Sequence, residues 1–123
     1  MGNGPASTKD GSTFLGKGFI HLTGKGQYQT ITSLWNSDSE NANNKMEFDG
    51  RDIDLLTTNL DVAMKASMYF WQKKKLNDLA DNRIENIDID KVGGKVNGVI
   101  YPSLPYGYDS RRSITKVAFN ILK

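Results

Sequence analysis

Residues 16–29 read GKGFIHLTGKGQYQ, four glycines and two lysines threaded around a short apolar run. Phosphate loops look superficially like this, but the spacing excludes the two common ones. A Walker loop needs four residues between its first glycine and the Gly-Lys pair, then Ser or Thr; Gly18 to Gly24 encloses five, and Gly26 follows Lys25. A dinucleotide fingerprint beginning at Gly16 and Gly18 needs Gly or Ala at position 21, where His21 stands. What the pattern leaves is a strand or extended segment from Phe14 to Thr23. There His21 and Thr23 alternate with Ile20 and Leu22 and so project to one side. Gln27 then follows on a helix whose Tyr28, Ile31, Leu34 and Trp35 fall at helical spacing. Imidazole, hydroxyl and amide, beside backbone that glycine leaves open, suit hydrogen bonding to sugar hydroxyls. A satisfied histidine in a tight turn is the competing reading, and the residues alone leave both open.

Working outward, residues 1–12 read as a flexible leader and 13–123 as a single domain. Residues 36–50, rich in Asn, Ser and Asp, form a loop. A brief helical turn fits Asp52 to Leu56. A longer helix capped by Asn59 or Asp61 then lines up Ala63, Ala66 and Phe70, with Leu60, Met64, Ser67 and Trp71 widening the buried stripe. Lys73, Lys74 and Lys75 follow at its end, where the helix dipole favours them. LNDLAD predicts a short helix, and Asp88 to Val92 another that Gly93 and Gly94 stop. The last helix is capped by Asp109 and places Ile114, Val117, Ala118, Ile121 and Leu122 on one face, which is expected to pack against the rest.

The fold class is therefore mainly α, helices around a central helix with one short extended or hairpin element. Hydrophobic residues make up 37% and charged residues 24% of 123 positions, the composition of an ordinary globular domain. The net charge of +2 is too small to indicate nucleic acid, which is the less favoured partner; such binding would run through Lys17, Lys25 and Lys73 to Lys75. With no cysteine there is no disulfide, thiolate nucleophile or sulfur-ligated zinc, and no cofactor is expected. No secretory signal and no apolar run of about 20 residues appears, so no membrane partner is expected and the localisation stays open.

The stretch FLGKGFIHLTGKGQY resembles the Y-x-G-R-G-F-I-Q-L-T-G-R-x-N-Y signature of glycoside hydrolase family 19, the chitinases and related endolysins of lysozyme-like fold. DIDLLTTNLDVAMKASMYFWQKKKLNDLAD is similar to that family's D-L-x-x-x-P-x-L-A-x-x-S-A-x-x-F-W-x-x-x-G-L-N-x-L-A-D segment, and KVGGKVNG to its I-N-G-G-x-N-G element. The resemblance implies a lysozyme-like fold of mainly α, α+β character and hydrolysis of a β-1,4-linked, N-acetylglucosamine-containing glycan, chitin or peptidoglycan. It also implies residue roles. Thr23 matches a Ser or Thr that holds the attacking water, and His21 a sugar-binding Gln. Gln27 matches a substrate-binding Asn, Tyr28 its neighbouring Tyr, and Arg111 the Arg preceding the final helix.

The sequence departs from the family in its catalytic part. Family 19 enzymes invert, using a carboxylic acid and a carboxylate base roughly 6.5–9.5 Å apart. In the family both precede the glycine-rich segment, the acid in an H-E motif. Here the fifteen residues before Gly16 contain one acid, Asp10, and no His-Glu pair. Val92 stands where the family keeps Asn. Glu40, Glu47 and Glu85 read as solvated surface carboxylates. The expectation is a carboxy-terminal portion lacking the acid and base, with a degenerate, non-catalytic glycan binder as the alternative. An incomplete fold of this kind would expose apolar surface and self-associate.

Overall fold

The computed structural model describes residues 1–81 and 83–122. The described residues form seven α-helices: α1 (Asp10–Thr13), α2 (Lys25–Ser37), α3 (Leu55–Thr58), α4 (Leu60–Lys73), α5 (Asn77–Ala80), α6 (Asn86–Asn97) and α7 (Tyr108–Leu122). Among the described residues the only β pairing is an isolated antiparallel bridge between Lys17 and Leu22. The mainly helical class expected from the sequence is the class observed, consistent with a lysozyme-like fold. The chain divides into two compact units, Met1–Phe70 and Trp71–Lys123.

The core of the first unit is built on α2. Tyr28, Ile31 and Trp35 are buried on one face of this helix, as the 3.6-residue period requires. Trp35 meets Phe48 and Tyr69 edge-on at 5.3 and 5.9 Å, favourable aromatic geometry, and its indole N–H donates to the Asn44 carbonyl at 2.7 Å. The polar loop after α2 is stitched down by its own side chains. Asn36 pairs both ways with the Met46 backbone, at 2.8 and 2.9 Å, and the Phe48 N–H donates to Thr32 Oγ1 at 3.0 Å. Asn59 caps α4 by accepting from the Val62 N–H at 3.1 Å. Val62, Ala63, Ala66 and Phe70 are buried on α4, but Leu60 and Met64 are 70% and 50% exposed. The buried stripe is thus narrower than the sequence indicated.

In the second unit α6 runs through Gly93 and Gly94 rather than stopping there, and ends at Gly98, whose φ of +74° is the usual left-handed terminator. Both internal glycines are buried, Gly94 beneath other backbone and Gly93 beneath the side chains of Pro105 and Arg111. A Cβ at Gly94 would fall 2.7 Å from the Val99 carbonyl oxygen, and one at Gly93 would fall 3.2 Å from Pro105 Cγ. The glycines are there for close packing, not for stopping a helix.

The last helix also differs from expectation. It begins at Tyr108 and meets α6 along one edge, where Arg112 forks onto the buried carboxylate of Asp90 (Nε to Oδ1 3.0 Å, Nη2 to Oδ2 2.5 Å). None of its residues is buried; Ile114, Val117, Ile121 and Leu122 stand 59–84% exposed. The stripe expected to pack is therefore open.

Candidate functional site

The extended segment of the sequence reading folds as a tight turn. Lys17 and Leu22 exchange backbone hydrogen bonds at 3.1 and 2.9 Å, and the His21 N–H donates to the Gly18 carbonyl at 3.1 Å. His21 itself has φ +58°, a left-handed conformation uncommon for a residue with a Cβ. Simple alternation therefore does not set its direction. The turn instead lays the imidazole over Gly16, where an added Cβ would meet Cε1 and Nε2 at 2.2 Å.

Thr23 follows at once, and its hydroxyl donates to the His21 carbonyl at 2.8 Å. With its hydrogen so engaged, the oxygen keeps lone pairs for a donor such as water or a sugar hydroxyl. Gln27 is half-buried in the first turn of α2, with no side-chain hydrogen bond among the described residues.

Beneath them Tyr28 has no accessible surface. Its hydroxyl donates to the Leu15 carbonyl at 2.5 Å, its ring lies 5.2 Å from Phe14, and burial pushes its pKa up to about 12. In this arrangement Tyr28 supports the loop from below. His21 and Thr23 are thus joined by a hydrogen bond, whereas Tyr28, fully buried, holds Leu15 and offers no surface to a substrate.

Helix α2 starts without a side-chain cap of its own. Gly24 occupies the N-cap at φ +86°, a value that favours glycine. The Lys25 and Gly26 N–H groups donate to Asn3 Oδ1 at 2.8 Å and to the Met1 carbonyl at 3.0 Å. Residues of the expected leader therefore cap this helix, a role with no sequence signature because the cap lies 22 positions away. Asp10 is tied into the same corner, accepting from the Gly4 N–H at 2.9 Å and from Lys25 Nζ at 3.4 Å. The Gly4 hydrogen bond, helped by the Lys25 charge, holds its pKa below the usual carboxylate value. That is the opposite of what a general acid needs. The pair also offsets much of the Lys25 charge that polyanion binding would use.

Glu40 and Glu47 are exposed, Glu47 within 4.0 Å of Arg51. Among the described residues no cluster of metal-ligating side chains forms, and no helix is long and apolar enough to cross a membrane.

Arg111 belongs to the second unit. It donates to the Tyr106 carbonyl and to Asn97 Oδ1 at 3.2 Å, holding the connection between α6 and α7. It also borders a cavity of about 900 Å³ with mostly apolar walls, among them Ile84, Val92, Val96 and Ala118. Glu85 and Asp88 lie on the same lining, and Asp88 Oδ2 is buried without a hydrogen-bond partner. Sequence reading missed this cavity because Ile114 and Ala118, which line it, fit a core stripe equally well.

No family model matches the chain, and no solved structure matches it. The chain is 28% identical over 101 residues to a "Glycosyl hydrolase family 19 domain-containing protein" from Haemophilus influenzae, an alignment covering 80% of this chain and 42% of that relative. The chain therefore spans about two fifths of that relative's length. These similarities support a distant, family 19-like relationship to a glycosyl hydrolase.

Proposed function

We propose that this chain is the glycan-contacting part of a family 19-like hydrolase, and that its ligand is a β-1,4-linked polymer containing N-acetylglucosamine, either chitin or peptidoglycan. The observation that carries this reading is the wall made by the 18–21 turn, with His21 seated on Gly16 and the Thr23 oxygen free to accept. In an inverting hydrolysis a water must be held on the face of the sugar opposite the leaving group. Thr23 is the residue that would hold it. His21 and Gln27 would contact the sugar and Tyr28 would fix the loop they stand on; Arg111, which belongs to the second unit, would be a substrate contact of that unit by itself.

The chemical step also needs a protonated carboxylic acid and a second carboxylate. Asp10 is unsuited to the acid role because its Gly4 and Lys25 partners favour the charged form. That observation favours, as a second reading, a glycan-binding relative that does not cut. Co-sedimentation with chitin and with purified peptidoglycan, followed by mass spectrometry of released products, separates the readings. Retention without products is expected for the chain alone. Products that vanish in Thr23→Ala would assign the acid and base to these residues; absence of retention on both polymers would end the glycan reading.

A further inference from the structure

Two of the four glycines in the 16–29 stretch serve the chain's own amino-terminal residues. A Cβ at Gly24 would meet Met1 Cβ and the Met1 carbonyl oxygen at 2.8 Å, and one at Gly26 would meet that same oxygen at 3.4 Å. The fit is mutual, since a Cβ at Gly2 would fall 2.9 Å from the Gly26 nitrogen. Backbone lies on backbone along this seam, and the Lys25 and Gly26 N–H groups donate across it to Asn3 Oδ1 and the Met1 carbonyl. We propose that residues 1–4 are a working part of the glycan site, with Asn3 the positioning residue for Thr23. This inference rests on the glycan-contacting role proposed for the 16–28 segment.

Thr23 stands between two fixed points. On one side Leu22 is buried and exchanges backbone hydrogen bonds with Lys17. On the other, Gly24 holds the N-cap of α2 at φ +86°, with its N–H donating to the Phe14 carbonyl at 2.9 Å. A helix leaves its first N–H groups without internal partners. Gly24 has no side chain to accept from them, so Asn3, a residue type that caps well, supplies the oxygen from 22 positions away. No polar group of the wall is used for capping, and the Thr23 oxygen keeps its lone pairs for a ligand.

The amino-terminal residues are anchored a second time at Asp10. Its carboxylate, 7% exposed, accepts from the Gly4 N–H and from Lys25 Nζ, so residues 3 and 4 are tied to the start of α2 through both backbone and side chain. Loss of the Asn3 acceptor loosens the first turn of α2 and with it Gly24 and Thr23. The body of the helix stays in place, because Tyr28, Ile31 and Trp35 hold it in the core.

Asn3→Ala in the full chain tests this, beside Ile31→Val, a core change on the same helix that also lowers stability. Chitohexaose and peptidoglycan fragments are titrated separately. Asn3→Ala should weaken binding about fivefold and speed deuterium exchange at the Lys25 amide by a similar factor, the equivalent of one lost cap. Ile31→Val should leave affinity unchanged, and Asn3→Asp, whose carboxylate accepts in the same place, should restore it. In a Thr23→Ala background Asn3→Ala should cost no further affinity, because Asn3 acts through Thr23. Faster exchange at Lys25 with undiminished binding would show a structural cap alone, overturning the proposal while the glycan reading stands. An unchanged Lys25 amide would overturn it too, as would an equal loss in Ile31→Val or full additivity with Thr23→Ala. A wild-type chain that binds neither glycan would end the glycan reading and this inference with it.

Discussion

The His21 imidazole lies on the backbone of Gly16, so close that a methyl group at Gly16 would fall 2.2 Å from its Cε1 and Nε2. Gly16→Ala therefore displaces the ring rather than the backbone, because an imidazole at the end of a side chain can rotate away. Stability should change by less than about 1 kcal/mol, as for other changes at a yielding site, while the His21 ring resonances move strongly and glycan affinity falls. A variant with unmoved His21 signals would show that the ring does not occupy that position.

Tyr28→Phe removes the hydroxyl that donates to the Leu15 carbonyl and leaves that oxygen beneath the loop without it. A cost of about 1–2 kcal/mol in urea unfolding is expected, with weaker glycan binding as the loop loosens. Unchanged stability would mean that water replaces the hydroxyl.

Both Tyr28 and Tyr69 have pKa values raised to about 12, Tyr28 by burial, Tyr69 by burial and then by its hydrogen bond to Asp38. A raised folded-state value means that the stability linked to these phenols is complete below pH 10, the ordinary tyrosine value, and is lost as pH rises through 12. Phenolate absorbance should show two tyrosines resisting ionisation until the fold opens. Complete ionisation near pH 10 with the fold intact is the opposing result.

Helix α6 carries a pair of opposite predictions. Asp90→Ala strips the carboxylate from the forked Arg112 contact and should lower the unfolding midpoint clearly. Asp88→Ala removes a buried oxygen without a partner, a liability of about 1–3 kcal/mol, against about 0.3–1 kcal/mol of favourable charge at the helix start. Asp88→Ala should therefore be neutral or stabilising by about 1 kcal/mol, measured by thermal melts of both variants. Equal losses in the two would contradict the bonding described for this helix.

Gly94→Ala should destabilise although alanine is the better helix former by about 1 kcal/mol, since its Cβ would meet the Val99 carbonyl oxygen at 2.7 Å. Gly93→Ala, at 3.2 Å from the Pro105 ring, should be tolerated far better. Thermal melts that ranked them the other way would show that the 98–105 connection shifts freely.

Much of the fold is legible where local chemistry decides it. The 3.6-residue spacing of Tyr28, Ile31 and Trp35 finds α2 and its buried face, and of the two candidate caps, Asn59 and Asp61, Asn59 is the one that caps, its partner lying three residues away. The misses arise where distant parts of the chain decide. Gly93 and Gly94 resemble a helix end, but buried approach by Val99 and Pro105 keeps them inside α6. Ile114 and Val117 have the pattern of a core stripe, yet periodicity shows only that a face is apolar and not what covers it. In the candidate site, spacing singles out Thr23 and Gln27 as candidates. The left-handed turn at His21 and the capping of α2 by Met1 and Asn3 are not, because each depends on backbone geometry rather than on residue type.

The most direct measurement is a titration of the isotopically labelled chain with chitohexaose and, separately, with peptidoglycan fragments, followed by amide and ring signals. Saturable shifts centred on His21, Thr23 and Gln27, weakened in Thr23→Ala, are expected for at least one of the two glycans. No saturable shift with either, or shifts confined to residues outside 14–28, would mean that this wall is not a sugar-binding surface.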